Sequence, residues 1–196
     1  MVNKNRRSID PPLDDFKPQK WAGMRLPRRV NTIAEIDLQA LHTCGIQGII
    51  LDLDNTIVSE DDRYLSPGAE DWIKQARHLN FQLFILSNGK RRYRVRAWAN
   101  RLKLGAISPA KKPFPIAFQK ACRVMQLYPQ QVVVIGDSWH TDVLGARLLG
   151  SHWIQVASLP HPRRWWEVLL GRWIQYPYPK SYQLCPFHPS AYYLDS

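Results

Sequence analysis

The chain has 196 residues, 45% of them hydrophobic, and a formal net charge of +11 from 27 Lys+Arg against 16 Asp+Glu. That length suits one domain with a core of its own, and no apolar run approaches the roughly 20 residues a membrane-spanning helix needs, which argues against an integral membrane protein. The 15 prolines gather towards the two ends, while the middle alternates apolar runs with amphipathic stretches, so the chain reads as neither disordered nor fibrous.

Residues 1–30 read as an extended basic arm carrying Arg6, Arg7, Arg25, Arg28 and Arg29. The first seven residues are charged with no apolar stretch after them, and Asp10, Asp14 and Asp15 are out of place in a transit peptide. A cytoplasmic location is expected, with a peripheral position at the inner face of a membrane left open. Cys44, Cys122 and Cys185 show no paired spacing, so they are read as reduced thiols rather than a zinc or disulfide framework.

Between the arm and a Trp/Tyr/Pro-rich tail, 161–196, the pattern predicts one domain, 31–160. Short aliphatic runs at 46–54, 81–87, 131–137 and 152–157 read as buried strands. Stretches with helical spacing lie between them, at 67–79, 90–104, 113–127 and 140–150. Near-continuous apolar strands alternating with helices predict an α/β domain, doubly wound around a parallel sheet. Right-handed crossovers bring the strand C-termini to one edge, where such folds bind ligands.

Polar residues sit where those strands end. Asp52 and Asp54 are two apart and project to the same side. Ser87 and Asn88 follow the apolar run FQLFIL directly, and Asp137 and Asp142 lie five apart across a loop leading into a helix. Four carboxylates at one sheet edge repel one another and call for a cation, and oxygen donors with room for phosphate suit Mg²⁺. No acidic residue occurs between Asp71 and Asp137, whereas Lys90, Arg91, Arg92, Arg94, Arg96, Arg101 and Lys103 form a dense basic run. Such a field steers nucleic acid, phosphorylated small molecules or anionic headgroups alike, and a solvated helix face would look the same.

DLDNT, then SN after a second strand, then Lys112-Pro113, then GDSWHTD resembles the four ordered motifs of the haloacid dehalogenase (HAD) superfamily phosphatases. More narrowly, GIQGIILDLDNTIV with GDSWHTDVLGARLLG looks like the YqeG-like group of class IIIA, itself similar to the mitochondrial phosphatidylglycerophosphate phosphatase. The likeness covers roughly residues 30 to 160. It implies a Rossmannoid three-layer sandwich and a Mg²⁺-dependent phosphomonoester hydrolase. Asp52 would then be the nucleophile that forms an aspartyl phosphate, and Asp54 the general acid and base. The Asp52 carboxylate, the Asp54 backbone carbonyl and Asp137 would hold the metal. Ser87 and the amide of Asn88 would bind the phosphoryl oxygens, and Lys112 would stabilise their developing charge, with Lys111 its rival. Asp142 would hold a metal-bound water or orient Lys112, and Thr56 would hydrogen-bond within the first motif to keep Asp54 in place. The chain departs from the pattern with Gly89 after Ser87-Asn88 and with Ser138 in the fourth motif, and His140 there is read as non-catalytic.

The gaps 57–86 and 89–111 leave room only for a helix and its connections, so a capless site is expected, open to a phosphate presented by something large. The stretch 161–175 mixes Arg163, Arg164 and Arg172 with Trp165, Trp166 and Trp173, as interfacial segments do, although a helix folded back on the sheet is the favoured reading. Phosphatidylglycerophosphate on an anionic membrane is the leading substrate expectation. A phosphatase of nucleic-acid ends or phosphoproteins, and a non-catalytic nucleic-acid or ribosome-binding module, are the alternatives. Oligomeric state leaves no sequence signal.

Overall fold

The computed structural model describes residues 26–161, 171 and 174–187. In chain order they form β1 (Arg29–Val30), α1 (Leu38–Thr43), β2 (Gly48–Leu51), β3 (Tyr64–Leu65), α2 (Ala69–His78), β4 (Gln82–Leu86), α3 (Arg92–Leu102), β5 (Gly105–Ile107), α4 (Pro115–Met125), β6 (Val132–Gly136), α5 (Leu144–Leu149), β7 (His152–Ser158), β8 (Tyr176–Pro177) and β9 (Cys185–Pro186). The main sheet runs β1-β7-β6-β2-β4-β5, every pair parallel, with β8 added beside β7. Among the described residues no helix is long and apolar enough to cross a membrane.

Parallel pairing requires crossovers, and the helices that make them cover both faces. Alternation along the strands divides the core. Ile49 and Leu51 of β2, with Ile85, Val133 and Ile135, face Trp72 and Ile73 of α2 and Val95, Trp98 and Leu102 of α3. Ile50, Phe84 and Val134 face the other way, towards Ala117, Phe118 and Ala121 of α4 and Ala146 of α5. This is the expected three-layer sandwich. Between β2 and β4 the chain holds only β3, which pairs with β9, and α2; between β4 and β5 it holds only α3. All four expected strands and all four helical stretches form, with shorter bounds except for β7, which runs one residue further, to Ser158.

In three places the structure redraws a boundary of the sequence reading. Arg29 and Val30, assigned to the arm, pair with Gln155 and Val156, and Tyr176 and Pro177 of the assigned tail pair with Ala157 and Ser158. The predicted helix at 140–150 divides into a π-helical turn, Trp139–Val143, followed by α5. The wide turn arises because Val143 N–H reaches back five residues to the Ser138 carbonyl while Asp142 turns its carboxylate inward to the Ser138 N–H. Most of the Trp-rich stretch, 162–170 with 172–173, lies outside the described residues, as does 1–25.

Candidate active site

The site lies where β2, β4, β5 and β6 end. Asp52, the first residue beyond β2, is still held by the sheet: its N–H donates to the Ile135 carbonyl at 2.9 Å. Ser87 ends β4 in the same way, between the Ile107 carbonyl and the Ala110 N–H. Lys112 comes from the loop between β5 and α4, and Asp137 and Asp142 follow β6. Lys112 Nζ donates to Asp52 Oδ1 and to Asp142 Oδ1, each at 2.6 Å, and all three side chains are buried. Asp137 Oδ2 accepts from Ser158 Oγ at 2.6 Å and from Gln175 Nε2 at 3.0 Å. A cavity of about 600 Å³ opens above these groups, with Lys90 and Arg91 at its edge.

Ligand atoms of Asp52, Asp137 and Asp142 all lie within 4.8 Å of one another. Three buried carboxylates crowd around one ammonium, which pairs with Asp52 and Asp142, and the ionisation of Asp52 and Asp137 responds. Burial pushes the Asp52 carboxyl well above its usual range, and the charges of Asp142, Asp137 and Asp54 add to the effect against the pull of Lys112. Burial and then the Asp142 charge push Asp137 up to about 7, despite the Ser158 hydrogen bond and the nearby Lys112 and His161. Burial alone would lower Lys112, but Asp142 and Asp52 outweigh it and hold the ammonium form. Hard oxygen donors with too little compensating positive charge fit a hard divalent cation.

The structure brings most of the sequence-predicted residues together. Ser87 Oγ donates to Asp54 Oδ2 at 2.8 Å and accepts from the Gly89 N–H at 2.9 Å. The Asn88 side chain grips the Lys112 backbone in both directions, donating to its carbonyl and accepting from its N–H, so it positions the lysine loop. Lys112 points inward and Lys111 is exposed. The side-chain trio is Asp52, Asp137 and Asp142; the Asp54 carboxylate turns instead to Ser87 and Arg94. Thr56 does not make the expected bond within its loop: its hydroxyl is buried with no hydrogen-bond partner. His140 accepts from or donates to Ser138 Oγ at 2.8 Å, at the cavity wall.

Sequence reasoning missed Arg94, Asp62, Ser158 and Gln175. Ser158 ends β7, so the strand-end rule that found Ser87 applied to it too. Arg94 belongs to the basic run yet is buried, donating from Nε to both Asp62 oxygens at 2.8 Å and pairing through Nη1 with Asp54. Gln175, in an aromatic stretch, had no readable signal.

A parallel sheet covered on both faces, with clustered aspartates and a lysine at its strand ends, is an α/β fold whose carboxylates are placed to act together beside a bound cation. The chain belongs to the haloacid dehalogenase-like hydrolase family, whose model matches residues 24–150. It is 37% identical over 130 residues, 66% of this chain and 75% of the relative, to the "Probable phosphatase YqeG" of Bacillus subtilis. It is 27% identical over 95 residues to the glyceraldehyde 3-phosphate phosphatase of Pyrococcus abyssi, spanning 43% of this chain and 39% of that enzyme. Among solved structures it is similar to a HAD-superfamily hydrolase of Ehrlichia chaffeensis, with 17% identity, a TM-score of 0.48 and coverage of 56% of this chain and 87% of that one.

Proposed function

We propose that this phosphatase-family enzyme hydrolyses a phosphomonoester through an aspartyl phosphate on Asp52, with Mg²⁺, and that its substrate is phosphatidylglycerophosphate presented at an anionic bilayer. The observation that carries the chemistry is the Lys112 ammonium, 2.6 Å from both Asp52 and Asp142. It holds the nucleophile's carboxylate and supplies positive charge beside the phosphoryl position. The Asp52 carboxylate, the Asp54 carbonyl and Asp137 would hold the metal, with Asp142 beside them. Bound there, the cation would neutralise phosphate and carboxylate charge so that two anions can meet.

Asp52 Oδ forms a bond to phosphorus as the bond to the leaving oxygen breaks, and the Asp54 carboxyl gives that oxygen its proton. In the second half a water oxygen bonds to phosphorus, the Asp52–phosphorus bond breaks, and the water proton returns to Asp54. Ser87 Oγ and the Asn88 N–H would hold the phosphoryl oxygens.

The open cavity and the exposed Lys90, Arg91, Arg92 and Arg96 support a large anionic substrate. Phosphate release by the purified chain with Mg²⁺ tests the reading on phosphatidylglycerophosphate in anionic vesicles, a 5′-phosphorylated oligonucleotide and an aryl phosphate. The lipid should turn over with the highest kcat/KM, and Asp52→Asn should abolish release. Equal release by Asp52→Asn removes the proposed nucleophile; preference for the oligonucleotide replaces the lipid with the nucleic-acid reading.

A further inference from the structure

Arg94 is the one member of the basic run that reaches a carboxylate of the proposed chemistry, and it does so from inside the protein. Its side chain is 4% exposed, on the face of α3 that also carries Val95, Trp98 and Leu102. A guanidinium removed from water is costly unless each N–H direction finds a partner. Nε meets both Asp62 oxygens at 2.8 Å, Nη2 donates to the Ser59 carbonyl at 2.8 Å, and Nη1 pairs with Asp54 Oδ1. Trp98, one turn along α3, donates its Nε1–H to Asp62 Oδ1 at 3.2 Å, so the brace is itself braced. Asp62 itself sits at φ 59°, in the left-handed region. The three acceptors, Asp54, Ser59 and Asp62, all lie in the segment that follows β2, so one helical side chain fastens that whole segment to α3.

The consequence falls on Asp54. Arg94 takes Oδ1 and Ser87 Oγ takes Oδ2 at 2.8 Å, one anchor on each oxygen. A carboxyl held at both oxygens cannot rotate, yet each oxygen keeps a second lone-pair direction. Each Arg94 nitrogen is thus engaged with the protein, although the side chain also forms part of the cavity lining. We propose that Arg94 is a positioning residue: braced by Asp62 and Trp98, it fixes the Asp54 carboxyl at the orientation that delivers a proton to the leaving oxygen. This rests on the reading of Asp54 as general acid.

Misplacing a catalytic group by about 1 Å costs on the order of 100-fold in rate, most where the group is most needed. A poor alkyl leaving group needs the proton; an aryl leaving group of low pKa hardly does. The test is therefore the dependence of kcat/KM on leaving-group pKa, across aryl and alkyl phosphomonoesters, for the wild type, Arg94→Lys, Asp62→Asn and Asp54→Asn. Arg94→Lys keeps the charge and loses the fork; Asp62→Asn keeps the shape and loses the brace, and serves if the Arg94 variant does not fold. Each should show a steeper dependence than the wild type, with alkyl substrates losing about 10- to 100-fold more than aryl ones. Adding Arg94→Lys to Asp54→Asn should steepen nothing further, because both act through one carboxyl. A wild-type dependence in Arg94→Lys and Asp62→Asn, with only the melting temperature lowered, makes Arg94 a structural tie and overturns the proposal. A wild-type dependence in Asp54→Asn overturns the general-acid reading itself.

Discussion

Lys112 and Lys111 are neighbours in sequence with opposite surroundings. Lys112 is buried between two carboxylates, and Lys111 is exposed at φ 54°. Lys112→Met should cut phosphate release by about 100-fold or more, the scale of losing a preorganised charge donor. It also strands Asp52 and Asp142 without their shared cation, a loss on the order of 3–5 kcal/mol for a buried pair broken on one side. Lys111→Gln should change melting and turnover by no more than an ordinary surface substitution, about 0.5 kcal/mol. Steady-state kinetics and thermal melting of the two variants side by side check both halves; a larger loss in Lys111→Gln would reverse the assignment. Asp52, Asp54, Ser87 and Asp137 were legible because each ends or directly follows an apolar run, a position that a core alone would fill otherwise, whereas Lys112, before Pro113, was singled out only by the motif resemblance. Arg94 was less so, because it was counted with its charged neighbours. Its signal lay in the helix period: 94, 95, 98 and 102 share one arc of α3, and three of those four are apolar. Asp62 and Gln175 come from irregular segments, where no period exists to betray an inward-facing side chain.

At the scale of elements, close approach depends on two glycines. A Cβ on Gly136 would overlap the Asp142 carboxylate, so β6 can end beneath the π-helical turn only with hydrogen at that position. A Cβ on Gly145 would come within 2.5 Å of the Phe118 ring, where α5 crosses α4. The two alanine variants should fail differently. Gly145→Ala overpacks the core, costing about 1–3 kcal/mol seen as a lower melting temperature, with turnover per folded molecule kept. Gly136→Ala displaces Asp142 and should lower turnover well beyond its effect on melting. Calorimetry and steady-state rates on both variants separate these outcomes, and a Gly136→Ala enzyme with full activity would show that Asp142 need not sit where it does. The long central strands were readable because β2, β4 and β6 are buried almost throughout and therefore apolar throughout. Arg29–Val30, Gly105–Ile107 and Tyr176–Pro177 were not: two or three residues at a sheet margin, half-exposed, carry too little composition to register. α1 was also passed over, although Asp37 caps it by accepting from the Gln39 N–H at 2.8 Å, a signal the sequence does contain.

Across the whole molecule, the site is a standing charge on the fold. Asp137 titrates near 7 in the folded state, raised first by burial and then by the Asp142 charge, against about 3.9 for an unperturbed carboxyl. A raised folded value means that the native state binds the proton more tightly than the unfolded chain. Its contribution is therefore fully present below about pH 4 and is lost as pH rises through about 7, at most on the order of 4 kcal/mol. Asp52, also raised, acts with the same sign. Lys112 is raised too, but its contribution persists below the ordinary lysine range and stays constant from pH 5 to 8. A divalent cation needs these carboxylates ionised, so metal binding and protonation compete for the same oxygens. The metal-free protein should lose stability between pH 5 and 8, and Mg²⁺ should restore it most where the carboxylates are ionised. At about 100 times its dissociation constant the ion adds about 2.7 kcal/mol. Scanning calorimetry with and without Mg²⁺ at pH 5.5 and pH 8 measures this, and the upward shift in melting temperature should be clearly larger at pH 8. The Asp137→Asn variant should abolish most of that shift and flatten the pH dependence of the metal-free protein. A shift equal at both pH values would mean that the cation binds elsewhere than among these three aspartates.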